Sequence, residues 1–268
     1  MVSSSARSPL RKAANSRPVE LGARIGYAVN GLLHGVIGGL AIAVALGTGD
    51  NPDQSGALSA LASTPGGGAL LWVMVVGFAA LGLWQLLETL LVRDADTKRR
   101  WIGRVKEGGK AVVYLSLAVS ALRFAVPGGS SGGDSTRDFT ARLLGQPFGV
   151  LLLLLLAALV IGVGGFFIVK GVRKKFLEDI RTPTGSAGDA TVVVGVAGYV
   201  AKGIALVVVG VLFGVAAVTT DPEQATGLDA ALLALAELPY GVAVLIAVGV
   251  GFIAYGVYCV VRARRARL

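Results

Sequence analysis

The chain alternates between long apolar runs and short polar ones. Residues 25–49, 66–87, 148–169 and 240–261 each continue for more than 20 positions without an Asp, Glu, Lys or Arg. About 20 such residues cross a hydrocarbon core as an α-helix. Residues 203–220 form a fifth run, which 191–201 extend on the other side of Lys202. Residues 108–126 form the sixth, interrupted by Lys110 and Arg123. The pattern predicts six transmembrane helices.

The polar stretches alternate in sign. Lys and Arg gather in the first 24 residues, then at Arg93–Lys106, at Lys170–Arg181 and at the end of the chain from Arg262. The intervening connectors carry Asp50 and Asp53, then Asp134 and Asp138, then Asp221, Glu223, Asp229 and Glu237. Such alternation follows the positive-inside rule and places both termini in the cytoplasm of a bacterial inner membrane. A net charge of +9 distributed this way faces anionic lipid headgroups, so nucleic acid is not an expected partner. Charged residues make up 15% of the chain, against about 25% in soluble domains, which agrees with a lipid solvent. Residues 1–20 are polar and basic, lack the apolar core of a signal peptide, and are expected to be a disordered tail.

The spans come in pairs that repeat. Gly-x4-Gly opens each odd span, at Gly26/Gly31, Gly103/Gly108 and Gly198/Gly203. A proline opens each even span, at Pro65, Pro147 and Pro239; seventeen residues later stands Gly82, Gly164 or Gly256, and two further on an aromatic (Trp84, Phe166, Tyr258). The repeats are residues 21–92, 93–180 and 181–268. Two spans per copy make the copies parallel, so the expected fold is an all-α integral membrane bundle around a pseudo-threefold axis. Between the spans of each pair, SGALSALAST, STRDFTARLL and TGLDAALLALAEL read as short amphipathic helices on the outer surface, ended by the proline.

These triplicated Gly-(Tyr/Arg)-x-x-polar-Gly entries and Pro-led second spans resemble a bacterial family of six-helix membrane proteins, domain of unknown function 1206. The resemblance covers about residues 20–263 and implies three two-helix units with no assigned activity. The middle copy departs most, with Arg104 where the others have Tyr27 and Tyr199.

Small residues let membrane helices approach closely. Gly31, Gly35 and Gly39 form a ladder on the first span, Gly210 and Gly214 lie on the fifth, and Gly82, Gly164 and Gly256 lie on the even spans; all eight are expected to pack helices. Asn30, Glu107 and Lys202 occupy one repeat position, before the second glycine, and form a candidate polar layer near the inner edge of the hydrocarbon. Glu88, Lys170 and Arg262 form a second matched set on the same side. Ionisable groups in a span are functional by default. Structural pairing of Glu107 with Lys202, or of Glu88 with a neighbouring base, stands beside gating and lipid-headgroup binding.

His34, the single histidine, lacks the companions a metal site needs, and is expected to be packed or, in a sharper reading, proton-sensitive. No strand and no Gly-Lys-Ser/Thr accompany the glycine strings, which excludes a phosphate loop. No catalytic constellation and no cofactor are expected. The expected function is a non-enzymatic scaffold or regulator with a membrane-protein partner; the alternative is a channel or small-solute transporter along the axis. Mitochondrial-type carriers are excluded, because GTGDNPD, VPGGSSG and TTDPEQA stand where their Pro-x-acid-x-x-base signature would.

Overall fold

The computed structural model describes residues 17–48, 52–92, 96–126, 134–222 and 227–266. The first 16 residues of the expected tail lie outside them. Arg17–Glu20, expected in that tail, are already helical, and Glu20 accepts hydrogen bonds from the Arg24 guanidinium at 2.7 and 3.0 Å.

Each predicted span holds one long helix among the described residues. These helices are α1 (Arg17–Ala45), α3 (Gly67–Leu91), α4 (Thr97–Ala125), α6 (Gly149–Val172), α7 (Ser186–Thr219) and α9 (Gly241–Arg265). All six have the length and apolarity to cross a membrane, and the protein is a multi-pass membrane protein. The connectors fold as the short helices α2 (Gln54–Ala62), α5 (Asp134–Leu144) and α8 (Leu228–Ala236). A 3-10 helix, Lys175–Asp179, follows α6.

Each even span starts with the same turn. Thr64, Gln146 and Leu238 accept hydrogen bonds from the amides of Gly67, Gly149 and Gly241 at 2.9, 2.9 and 2.7 Å, across Pro65, Pro147 and Pro239. The residue after each proline is left-handed: Gly66 (φ 80°), Phe148 (φ 63°) and Tyr240 (φ 61°). This is a type II turn, with proline presetting its second position. The glycine that ends it is obligatory for a steric reason. A Cβ there would collide with the carbonyl oxygen of Leu61, Leu143 or Ala236, at the end of the preceding short helix.

The described residues form two compact units. One comprises 17–30, 61–92, 96–126 and 259–266; the other comprises 31–48, 52–60, 134–222 and 227–258. Their boundaries do not follow the repeats. The first unit packs Ala23, Tyr27, Leu81, Ala263 and Ala266 as a buried cluster. The second buries Leu153, Ala157, Val209, Phe213, Ala216, Ala217 and Ala231 where α6, α7 and α8 meet.

Close backbone approaches explain the Gly-x4-Gly phrase. Five residues advance a helix by about 500°, so the two glycines lie about 140° apart and serve different faces. In the first and third copies the first glycine packs on the even span of its own repeat, whereas a Cβ at Gly103 would lie 2.9 Å from Val92, at the end of the preceding repeat. A Cβ at Gly26 would lie 2.5 Å from the Gly77 carbonyl oxygen and 2.8 Å from Leu81 Cβ, and one at Gly198 would lie 2.5 Å from Tyr255 Cα. Leu81 and Tyr255 are repeat equivalents, each one residue before the even-span glycine.

The second glycine packs on the even span of another repeat. A Cβ at Gly256 would lie 2.6 Å from the Gly31 carbonyl oxygen, and one at Gly164 would lie 2.7 Å from that of Gly203. Two turns along, the contact recurs: Gly38 meets the Gly249 carbonyl and Ile253, and Gly210 meets Ala157 and Ile161. The middle copy has Leu115 at the position of Gly38 and Gly210, and its side chain fills the space 2.8 Å from a Cβ at Gly82.

The expected ladder on the first span is corrected accordingly. Gly31, Gly35 and Gly38 bring their backbones to α9, the Gly35 amide nitrogen lying 3.2 Å from a Cβ at Gly256, whereas a Cβ at Gly35 or Gly39 itself would meet nothing within 4 Å among the described residues. Gly214 makes only an ordinary contact, at 3.9 Å from Ala157 Cβ.

Candidate functional site

In two of the three odd spans, the residue before the second glycine meets the residue three positions after an even-span glycine. Those even-span positions hold Cys259 and Phe167, and their equivalent in the first repeat is Gln85. Asn30, buried in the first unit, donates its amide to Cys259 Sγ at 3.3 Å. Lys202, in the second unit, places its ammonium 5.4 Å from the centroid of the Phe167 ring. Gln85 is buried, and its side-chain oxygen has no hydrogen-bond partner among the described residues.

Glu107 is engaged along its own helix. Its carboxylate accepts from Lys110 Nζ at 2.7 Å and stands 4.0 Å from Lys106 Nζ. Lys202 is engaged by His34, with Nζ 2.9 Å from Nε2. The three equivalent positions therefore carry three different local chemistries: an amide–thiol bond, an ion pair and a lysine–histidine contact.

The second matched set also has a recurring geometry. The Arg262 guanidinium lies 4.4 Å above the Tyr27 ring, and the Lys170 ammonium 5.4 Å above that of Tyr199. In both cases an even-span cation covers an odd-span tyrosine, as the ring quadrupole favours. The remaining even-span and odd-span positions hold Glu88, of the first repeat, and Arg104, of the middle one. Glu88 instead lies within electrostatic reach of Glu107 and Lys110. Replacing the ring and the cation together removes the geometry without leaving a cation over an arginine.

The second unit gathers the richest set. His34 is nearly stacked on Phe252 (centroids 5.8 Å apart, planes 18°) and tilted against Tyr255 at 4.8 Å. Lys202 Nζ sits 4.5 Å over that same Tyr255 ring. The Gly198–Tyr255 approach draws α7 against α9, and the Gly31–Gly256 approach draws α9 against α1. Two glycine contacts thus bring a lysine of α7 and a histidine of α1 together across one tyrosine.

Beyond Tyr255 the aromatic packing continues through Tyr199 and Tyr258 to Phe176 of the 3-10 helix. Phe176 is fully buried, stacked on Tyr199 (5.3 Å, 12°) and set edge-on to Tyr258. Tyr258 donates its hydroxyl to the Phe176 carbonyl at 3.0 Å. Lys170 and Asp179 close the loop with an ion pair of 2.6 Å. Gly195 provides the space, since a Cβ there would collide with the Phe176 ring.

Comparison with known proteins returns the same repeat. A family model described as Domain of Unknown Function (DUF1206) matches residues 25–91, 107–174 and 197–266. An uncharacterized protein of Bacillus subtilis (strain 168), YxxB, is 32% identical over 243 residues, covering 89% of this chain and 88% of that one. No solved structure matches the chain.

Proposed function

The chain belongs to the family described as Domain of Unknown Function (DUF1206), and from that premise we propose that it is a non-enzymatic scaffold or regulator of other membrane components. The observation that carries this reading is the double grip on the odd spans. α1 and α7 are each held on two faces by glycine contacts that leave no room for a methyl group. Spans held this way form a rigid surface for neighbouring membrane proteins. Transporters more often break their spans at the substrate site, whereas α1 and α7 run unbroken for 29 and 34 residues.

In this reading the chain lies in the bacterial plasma membrane with both termini cytoplasmic. Its basic loops rest on anionic headgroups. A membrane protein is the partner, and nucleic acid is not. A small-solute channel or transporter is the second reading, favoured by the Lys202–His34 contact inside a span.

Solute and ion flux into proteoliposomes of the purified protein separates the two, against empty vesicles and a Lys202→Leu variant. The scaffold reading expects flux at the empty-vesicle level. Flux that disappears in Lys202→Leu would replace it with the transport reading.

A further inference from the structure

The geometry points to a proton-binding site inside the membrane span, formed by His34 and Lys202, that holds one proton between two bases and takes up a second only as their contact breaks. A 2.9 Å separation between Lys202 Nζ and His34 Nε2 requires one nitrogen to donate and the other to accept. With the ammonium as donor, the imidazole is neutral and carries its own proton on Nδ1. Both groups carrying charge would place two cations side by side in a low-dielectric interior, where little screens them. The pair is therefore stable with one proton and unstable with two.

The surroundings support that state. Within this unit, α1 offers the pair His34 itself. α7 offers Lys202 and Tyr199, and α9 offers Tyr255 and Tyr258. α6 offers Phe167 and Lys170, whose ammonium is turned to Asp179 of the 3-10 helix and the Tyr199 ring. The carboxylate in this group, Asp179, is thus already engaged by Lys170 at 2.6 Å. The face of Tyr255, with Phe167 behind it, favours a cation at Lys202. A second proton would set an imidazolium 2.9 Å from that ammonium, two like charges in direct contact. Lys202 then withdraws, and α1 and α7 lose the polar contact between them. This goes beyond the scaffold reading and holds whether or not the protein transports a solute.

The test uses the one histidine of the chain. Full-length protein with ring-15N histidine, in lipid nanodiscs, gives one pair of imidazole nitrogen signals. At neutral pH the site predicts a neutral ring protonated at Nδ1, with Nε2 hydrogen-bonded. Acidification should protonate Nε2 in a single step that also abolishes the hydrogen-bond signature. In Lys202→Met the midpoint of that step should move by at least tenfold in proton concentration, whereas Lys202→Arg should keep a cation-coupled step. An Nε2-protonated ring in the wild type at neutral pH would overturn the proposal, whatever the variants do. So would a Lys202→Met midpoint equal to that of the wild type.

Discussion

Lys202, Asn30 and Glu107 occupy one repeat position, and the alignment says where each sits without saying what it meets. Position was legible because it follows from the Gly-x4-Gly spacing. Partners were not, because they lie on other spans or depend on a single substitution. Lys202 finds His34, 168 residues earlier in the chain, and Glu107 finds Lys110 one turn along. Asp179 lies inside the basic stretch 170–181, where no sequence pattern singles it out, yet it holds Lys170 in a pair with side chains 16% and 27% exposed. At the residue scale, Lys170→Met should lower thermal stability in detergent. The double variant Lys170→Met/Asp179→Asn should recover part of that loss, with a coupling on the order of 1 kcal/mol. Additive losses would show that the pair contributes nothing. Tyr258→Phe should cost about 1 kcal/mol in the same measurement, because the Phe176 carbonyl loses its donor.

At the element scale, the six spans and three connector helices were legible, since length and apolarity decide a span. The 3-10 helix was not. Its sequence, KFLED, follows two basic residues and carries charges of both signs, so nothing in its periodicity marks Phe176 as buried. The turn that opens each even span was half legible. Proline announced it, but the left-handed residue and the following glycine emerge only from the contact with the preceding short helix. Gly149→Ala and Gly241→Ala should each destabilise by about 2 kcal/mol or more, the cost of forcing a methyl into a packed backbone. Phe148→Gly should leave stability unchanged or raise it. It relieves a left-handed conformation, and the side chain it removes is 79% exposed. Thermal unfolding of the three variants in one detergent checks both statements, and a Phe148→Gly loss as large as that of Gly149→Ala would contradict the turn.

At the scale of the whole molecule, the repeats appear as recurring contacts. Gly26 and Gly198 pack on the even span of their own repeat, and Gly31 and Gly203 on the even span of another. The middle copy keeps Gly103 and Gly108 but lacks the glycine two turns on, having Leu115 there, so its sequence divergence is also a packing divergence. Which of the many glycines pack could not be read from spacing. Gly35 continues the i+4 ladder of Gly31, and its amide nitrogen lies 3.2 Å from a Cβ at Gly256 of α9, yet a Cβ on Gly35 itself would point into open space. The scaffold reading depends on that grip being tight.

Thermal unfolding of single glycine-to-alanine variants tests it most directly. Gly164→Ala and Gly256→Ala put a methyl against the backbone carbonyls of Gly203 and Gly31, and each should lose about 1–3 kcal/mol. Gly35→Ala and Gly39→Ala place theirs in open space and should unfold at the wild-type temperature or above it. Equal losses in the two pairs, or none in either, would contradict the account.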